Sequence, residues 1–461
     1  MSPQTDARMW ETATSALLLP KADMFRLPPN PNSGFVPPPP PGSMPSAPPI
    51  HIPDHVYYAA LDPRVPLTIA TVYAVTVKLL NLYNKSTGKK PWAISKTRPF
   101  HWFVIAHNIF LAVYSAWTFV GMYGTLKRSI VSARGPQGVA GWLDSMCRIN
   151  GPAGLGNAAF YNDDLDAWQT YSSEEGVLDA AGVPSRFAPG RMWNEGLAFY
   201  GWLFYLSKFY EVFDTLIILA KGKLSSTLQT YHHAGAMLCM WAGIRYMSVP
   251  IWLFVFANSF IHSLMYTYYT LTAFKIRVPT SIKRTLTSMQ ITQFIAGASA
   301  ATVHSFIYYI VPVISSSSTD EETAATASSA ANGTSVPAGS AAGHLTVERH
   351  VMPCLTSSGE TFAVWLNILY LTPLTYLFVS FFIESYLRRS NAAQAPGKKA
   401  AAGTAARRLS NTVQLAEKAG REAAGKVERE VYGESSEEAV VVEEAVPSGK
   451  RVNGRTLRSR K

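Results

Sequence analysis

Two histidines stand side by side at His232-His233 and a third lies at His262, while the largely apolar segment at about 198–220 carries Lys208, Glu211 and Asp214. An imidazole has an unperturbed pKa near 6.5, so at neutral pH it serves as nucleophile or general base. Beside carboxylates and a lysine, such histidines point to group transfer. At spacings of three and four, Lys208, Glu211 and Thr215 share a helix face, with Asp214 next to Glu211. Asn258, His262 and Tyr266 follow at i, i+4 and i+8, with Met265 and Tyr269 adjoining, and Gln290 and Gln293 repeat the theme three apart. Each polar stripe alone is compatible with hydrogen bonding between helices. Four neighbouring stripes together predict a shared interior cavity, because charges inside apolar segments face a protein interior or a water-filled space.

The elements that must position these residues are apolar helices. The 461-residue chain is 48% hydrophobic but only 15% charged, against about 25% in soluble proteins. Apolar segments recur at about 66–84, 101–126, 198–220, 229–248, 250–274, 285–313 and 361–387. Most are long enough to cross a hydrocarbon core of about 30 Å. The fourth and fifth are divided at Ser248-Val249-Pro250, since a single helix there would be too long for the bilayer. This pattern predicts an all-α polytopic membrane protein with seven transmembrane helices and excludes an ordinary soluble enzyme.

Basic residues set the orientation. Lys85, Lys89, Lys90, Lys96 and Arg98, then Lys221 and Lys223, then Lys275, Arg277, Lys283 and Arg284 fall in alternate loops, which are therefore expected on the cytosolic side. The N-terminus is then lumenal and the C-terminus cytosolic. Residues 1–63, with Pro37 to Pro41 in a row, read as a disordered Pro-rich lumenal tail, and residues 391–461 as a mostly disordered charged tail. Within the 64–390 domain, residues 314–360 form a lumenal loop, part of it almost entirely Ser, Thr, Ala and Gly. That loop contains a glycosylation sequon at Asn332, whereas the one at Asn84 lies at an expected cytosolic edge. Cys147 and Cys354 both fall on the oxidising side, and a bridge between them is expected; Cys239 lies within the fourth segment.

Lys208-x-x-Glu211-x-x-Asp214-Thr215, His232-His233, Asn258-Ser259-x-x-His262-x-x-Met265-Tyr266-x-Tyr268-Tyr269 and Gln290-x-x-Gln293-Phe294 occur in the order and spacing of the very-long-chain fatty acid elongase (ELO) family. The resemblance covers roughly residues 64–390. It implies six helices around a substrate tunnel that is open to the cytosol, in the endoplasmic reticulum membrane. It also implies the condensing step of elongation: acyl-CoA and malonyl-CoA give 3-oxoacyl-CoA, CoA and carbon dioxide. The reductases and dehydratase of the elongation cycle are then expected partners. His232, His233 and His262 become the expected catalytic residues, His232 as the nucleophile that forms an acyl-imidazole. Lys208, Glu211, Asp214, Gln229, Asn258, Tyr266, Tyr269, Gln290 and Gln293 become substrate-binding residues. The usual His-x-x-His-His box here reads Gln229-Thr230-Tyr231-His232-His233. Glutamine is neither nucleophile nor base, and the glutamine form resembles the branch associated with polyunsaturated chains.

Other classes fit less well. A di-iron desaturase or hydroxylase needs about eight clustered histidines, and of the ten present only one pair is clustered. Adjacent histidines point about 100° apart on a helix, and no Cys/His cluster suggests zinc, so neither metal nor other cofactor is expected. The seventh segment has no lysine for a retinal Schiff base. A signalling receptor would leave Lys208, Glu211, Asp214, His232 and His233 unexplained, and a membrane lipid transporter is the alternative that composition alone allows. The basic residues sit at helix ends and in the tail, without interleaved aromatics, which argues against nucleic acid as a partner.

Overall fold

The computed structural model describes residues 13–317 and 344–383. The helices are α1 (Asp54–Ala60), α2 (Arg64–Ser86), α3 (Arg98–Ser129), α4 (Gly138–Cys147), α5 (Ala198–Tyr210), α6 (Val212–Ala220), α7 (Thr227–Arg245), α8 (Ile251–Ala273), α9 (Thr280–His304) and α10 (Ser358–Phe382). The strands are β1 (Ser15–Leu17), β2 (Ala159–Asn162), β3 (Ala167–Thr170), β4 (Ile307–Ser317) and β5 (His344–Pro353). By length and composition, α2, α3 and the stretch Ser358–Ser380 of α10 are long and apolar enough to cross a membrane.

Local chemistry fixes where the long helices begin. Thr97 caps α3 by accepting from the Phe100 N–H, and Ser226 caps α7 by accepting from Gln229. Ser357 and Glu360 form a reciprocal capping box at the start of α10. Packing then runs in a closed circuit, α3 on α8, α8 on α9, α9 on α10, α10 on α7, α7 on α5 and α5 on α3, with α2 outside against α6 and α7. A core including Trp193, Phe199, Trp202, Tyr205, Met240, Ile244 and Phe254 fills the circuit away from the basic loops.

Three features differ from the sequence expectation. The third apolar segment is two helices, α5 and α6, interrupted at Glu211. The sixth segment leaves the helix at His304, and the apolar stretch after it enters β4. Ile307-Tyr308-Tyr309-Ile310-Val311 is β-branched and aromatic, which favours a pleated surface. β4 lies between β1 and β5, pairing Ile310 with Val351 and Tyr309 with both Met352 and Ser15. The 314–360 loop is thus partly strand.

The third difference is the N-terminal segment. The expectation of disorder over 1–63 is corrected for residues 13–63, which follow the protein surface as a docked strap. Prolines have no N–H to satisfy, and Pro37, Pro38 and Pro39 are buried. The carbonyls of the strap find donors elsewhere: Trp193 Nε1 donates to Val36 at 2.8 Å, and Arg245 donates to Ser33 and Pro31 at 2.7 and 2.8 Å. Asn30 Nδ2 donates to Asp166 at 2.8 Å, and Arg186 pairs with Asp54 at 2.8 Å.

A disulfide joins Cys147 at the end of α4 to Cys354 just before α10. Buried Arg148 donates to the carbonyls of Cys147, Cys354 and Pro353, and Arg191 pairs with Asp144 at 2.6 Å. Asn332 and the C-terminal tail lie outside the described residues.

Candidate functional site

The interruption at Glu211 lies at the centre of the polar constellation. The Glu211 N–H donates to the Ser207 carbonyl and the Glu211 carbonyl accepts from Asp214 three residues on, so both groups are paired across the interruption. The Glu211 side chain is buried, and its Oε1 accepts from Lys208 Nζ at 2.7 Å and from Ser207 Oγ at 3.1 Å. Lys208 also donates to Asn258 Oδ1 at 3.3 Å and lies 4.1 Å from the centre of the Phe204 ring. Asn258 Nδ2 in turn donates to Gln293 Oε1 at 3.5 Å. The motifs of α5, α8 and α9 therefore meet through side chains. A buried pair of opposite charges with additional hydrogen-bond partners is tolerable in an apolar interior, whereas either ion alone is not.

The histidines approach from two helices. His262 Nδ1 on α8 stands 3.6 Å from Glu211 Oε1. On α7, His232 and His233 have ring centroids 5.3 Å apart and point to different neighbours, as their spacing requires. His233 Nε2 lies 3.1 Å from the amide nitrogen of Gln229, one turn earlier. That nitrogen is also 3.4 Å from Thr215 Oγ1, which contacts the Tyr73 hydroxyl at 2.8 Å. His232 Nδ1 lies 2.9 Å from the hydroxyl of Tyr370 on α10.

These groups surround a cavity of about 390 Å³ lined by Glu211, Asp214, Gln229, His232, His233, His262, Tyr266, Tyr269 and Gln290, with Lys221 and Lys223 on the basic-loop side. Lys208, Asn258 and Gln293 are not among its lining residues. Lys208 is turned onto Glu211 and Asn258, and Asn258 onto Gln293. Lys208 thus holds Glu211, and a relay through Asn258 to Gln293 supports it from α8 and α9. Gln290 does reach the wall, where its amide lies 3.4 Å from Met265 Sδ. Among the described residues, no group of three or more His, Cys, Asp or Glu side chains is placed to hold a metal ion.

Two participants were not evident from the motifs. His107 on α3 is buried and binds Asp214 Oδ1 through Nε2 at 2.9 Å, while Tyr266 donates to Asp214 Oδ2 at 2.6 Å. Asp214 thus ties α3, α6 and α8 together at the cavity wall. Tyr370 is the other, and it stands in the seventh segment, to which none of the motifs extends. A polar residue in an apolar segment was the available signal for His107, and no comparable signal marks one tyrosine among 22.

The profile of the GNS1/SUR4 family, ELO, matches residues 58–394. Very long chain fatty acid elongase 6 of Drosophila melanogaster is 34% identical over 125 residues, which is 27% of this chain and 38% of that protein. Fatty acid elongase sre1 of Dictyostelium discoideum is 36% identical over 134 residues, 29% of this chain and 47% of the relative. Very long chain fatty acid elongase 3 of Homo sapiens is 36% identical over 107 residues, 23% and 39% of the two chains. The aligned stretch spans less than half the length of each of these relatives.

Proposed function

Because this chain belongs to the ELO, or GNS1/SUR4, family, we propose that it is the condensing enzyme of fatty acid elongation, joining an acyl-CoA to malonyl-CoA to give 3-oxoacyl-CoA, CoA and carbon dioxide. The observation that carries this reading is the convergence of His232, His233 and His262 on one cavity beside the buried Glu211–Lys208 pair. A cavity of about 390 Å³ falls within the range of about 300–1,000 Å³ common for small-molecule sites. Lys221 and Lys223 on its basic-loop side suit the phosphates of a CoA thioester. The seven helical segments act as seven spans, with the closed packing circuit around the acyl tunnel. Family membership supports residence in the endoplasmic reticulum membrane, and the Lys/Arg asymmetry of the loops supports their cytosolic placement.

In the proposed reaction His232 attacks the thioester carbonyl. The C–S bond breaks, CoA leaves as thiolate, and the acyl group rests on the imidazole. Malonyl-CoA then loses carbon dioxide, and the resulting carbanion takes the acyl group and frees His232. His262, oriented by Glu211, assists the second step. Gln290 on the cavity wall meets developing negative charge, while Asn258 and Gln293 bond each other outside the lining. The 3-oxoacyl-CoA product must then pass to a reductase.

Acyl-CoA supplied alone to purified protein is expected to leave an acyl adduct that peptide mapping places on His232. His232→Ala should lose both the adduct and malonyl-CoA-dependent chain extension. Full turnover by intact His232→Ala protein would exclude the assignment.

A further inference from the structure

Tyr370 has one hydroxyl proton and two neighbours that compete for it. Its oxygen lies 2.9 Å from His232 Nδ1 and 2.9 Å from the backbone carbonyl oxygen of His232. The carbonyl can only accept, whereas an imidazole nitrogen either donates or accepts according to the tautomer. If Tyr370 donated to Nδ1, its oxygen would face the carbonyl oxygen at hydrogen-bond distance with no proton between them. One arrangement satisfies all three groups: Tyr370 donates to the carbonyl, and Nδ1–H donates to the phenolic oxygen. We infer that Tyr370 is the positioning residue that fixes His232 as its Nδ1–H tautomer and leaves the Nε2 lone pair free for attack. This rests on the acyl-imidazole reading above.

The surroundings are built for this contact. Gly235, three residues after His232, faces the Tyr370 ring so closely that an added Cβ would lie 2.3 Å from a ring carbon. Tyr231 donates to the Tyr370 carbonyl at 3.1 Å, and its ring lies 5.5 Å from the Tyr370 ring, holding the same turn of α10 against α7. Tyr370 itself is buried.

The tautomer decides the chemistry. With the proton on Nδ1, Nε2 forms its bond to the thioester carbon directly. The sulfur leaves with the electron pair of the C–S bond, and the product is an acyl-imidazolium whose Nδ1–H remains hydrogen-bonded to Tyr370. With the proton on Nε2, that nitrogen has no lone pair in the ring plane, and the nucleophilic nitrogen is turned toward Tyr370 instead.

Three forms of the full-length protein in detergent test this: wild type, Tyr370→Phe and Gly235→Ala. Tyr370→Phe keeps the ring and removes the oxygen, whereas Gly235→Ala keeps the hydroxyl and displaces it. The expectation is a 10- to 100-fold slower appearance of the His232 acyl adduct in both variants, with acyl-CoA Kd changed less than threefold. In ¹⁵N-histidine-labelled protein, the His232 signals, assigned by their loss in His232→Ala, should show a protonated Nδ1 in wild type and a mixture of tautomers in Tyr370→Phe. A wild-type adduct rate retained by folded Tyr370→Phe, or a protonated Nε2 in the wild type, would overturn the inference. No adduct on His232 in the wild type, with the Nδ1–H signature present, would instead exclude the acyl-imidazole reading and leave the tautomer assignment standing.

Discussion

Lys208 and Glu211 show how one residue pair holds several motifs. Both side chains are almost completely buried, 5% and 3% exposed, and their charges compensate at 2.7 Å. Removing one partner strands the other, which typically costs about 3–5 kcal/mol, whereas replacing both by apolar residues of similar size is often nearly neutral. Lys208→Met is therefore expected to lower the unfolding free energy by roughly that amount. Lys208→Met with Glu211→Leu should recover most of the stability but not chain extension, because His262 loses the carboxylate 3.6 Å from its Nδ1. Thermal unfolding and extension assays on the single and double variants decide it: equal destabilisation in both would mean that the pair is not the source. Residues of this kind were legible in the sequence because a charge in an apolar run demands a partner. Which partner was not, since Asn258 lies 50 positions from Lys208 and His107 lies 107 from Asp214. Such pairings are set by helix packing, and spacing along one helix carries no record of them.

Among the elements, the apolar segments were readable because twenty or so apolar residues have few alternatives to a helix in a membrane protein. The strap was not, because proline richness is the same whether the backbone is solvated or its carbonyls are supplied with donors by another part of the fold. Asp166 is one of its anchors. Its carboxylate accepts from Tyr161 at 2.6 Å, from Asn30 at 2.8 Å and from Asn32 at 2.7 Å. These hydrogen bonds, that from Tyr161 foremost, hold the Asp166 carboxyl below its ordinary value. Tyr161 lies outside the strap and keeps its bond on undocking, so only the part of the depression due to Asn30 and Asn32 is linked to docking; it favours the docked state above the undocked pKa and is lost as pH falls through the lower, docked value. The strap should thus stay attached from pH 5 to 8 and become sensitive to an acid-active protease only below about pH 4. Asp166→Ala should expose it to cleavage at neutral pH. Uniform protease sensitivity across that range, with no change in the variant, would show that Asp166 does not anchor it.

At the scale of the whole molecule, the family match begins at residue 58, so most of the strap lies beyond what relatedness could have revealed, whereas the disulfide follows from a topology that puts two lone cysteines on one side. Closing the 207-residue separation between Cys147 and Cys354 stabilises by roughly 5 kcal/mol in the chain-entropy model, provided that side is oxidising. Of the two sequons, the one at Asn332 reports on the same question independently. Asn84 is buried, with Nδ2 donating to the Leu219 and Lys223 carbonyls, both at 2.9 Å, and Oδ1 accepting from Trp92 at 2.8 Å. An amide with both protons engaged in the interior is a poor glycan acceptor whichever way the chain is inserted. Asn332 belongs to the connection between β4 and β5, the two strands nearest Cys354 in the chain. If the bridge end is lumenal, glycosidase treatment should shift the mass of wild type and of Asn84→Gln but not of Asn332→Gln, and peptides mapped without reductant should contain Cys147 joined to Cys354. A glycan on Asn84, or free alkylatable Cys147 and Cys354 in protein from oxidising membranes, would reverse the orientation and place the histidine cavity's basic mouth on the wrong side for cytosolic CoA thioesters.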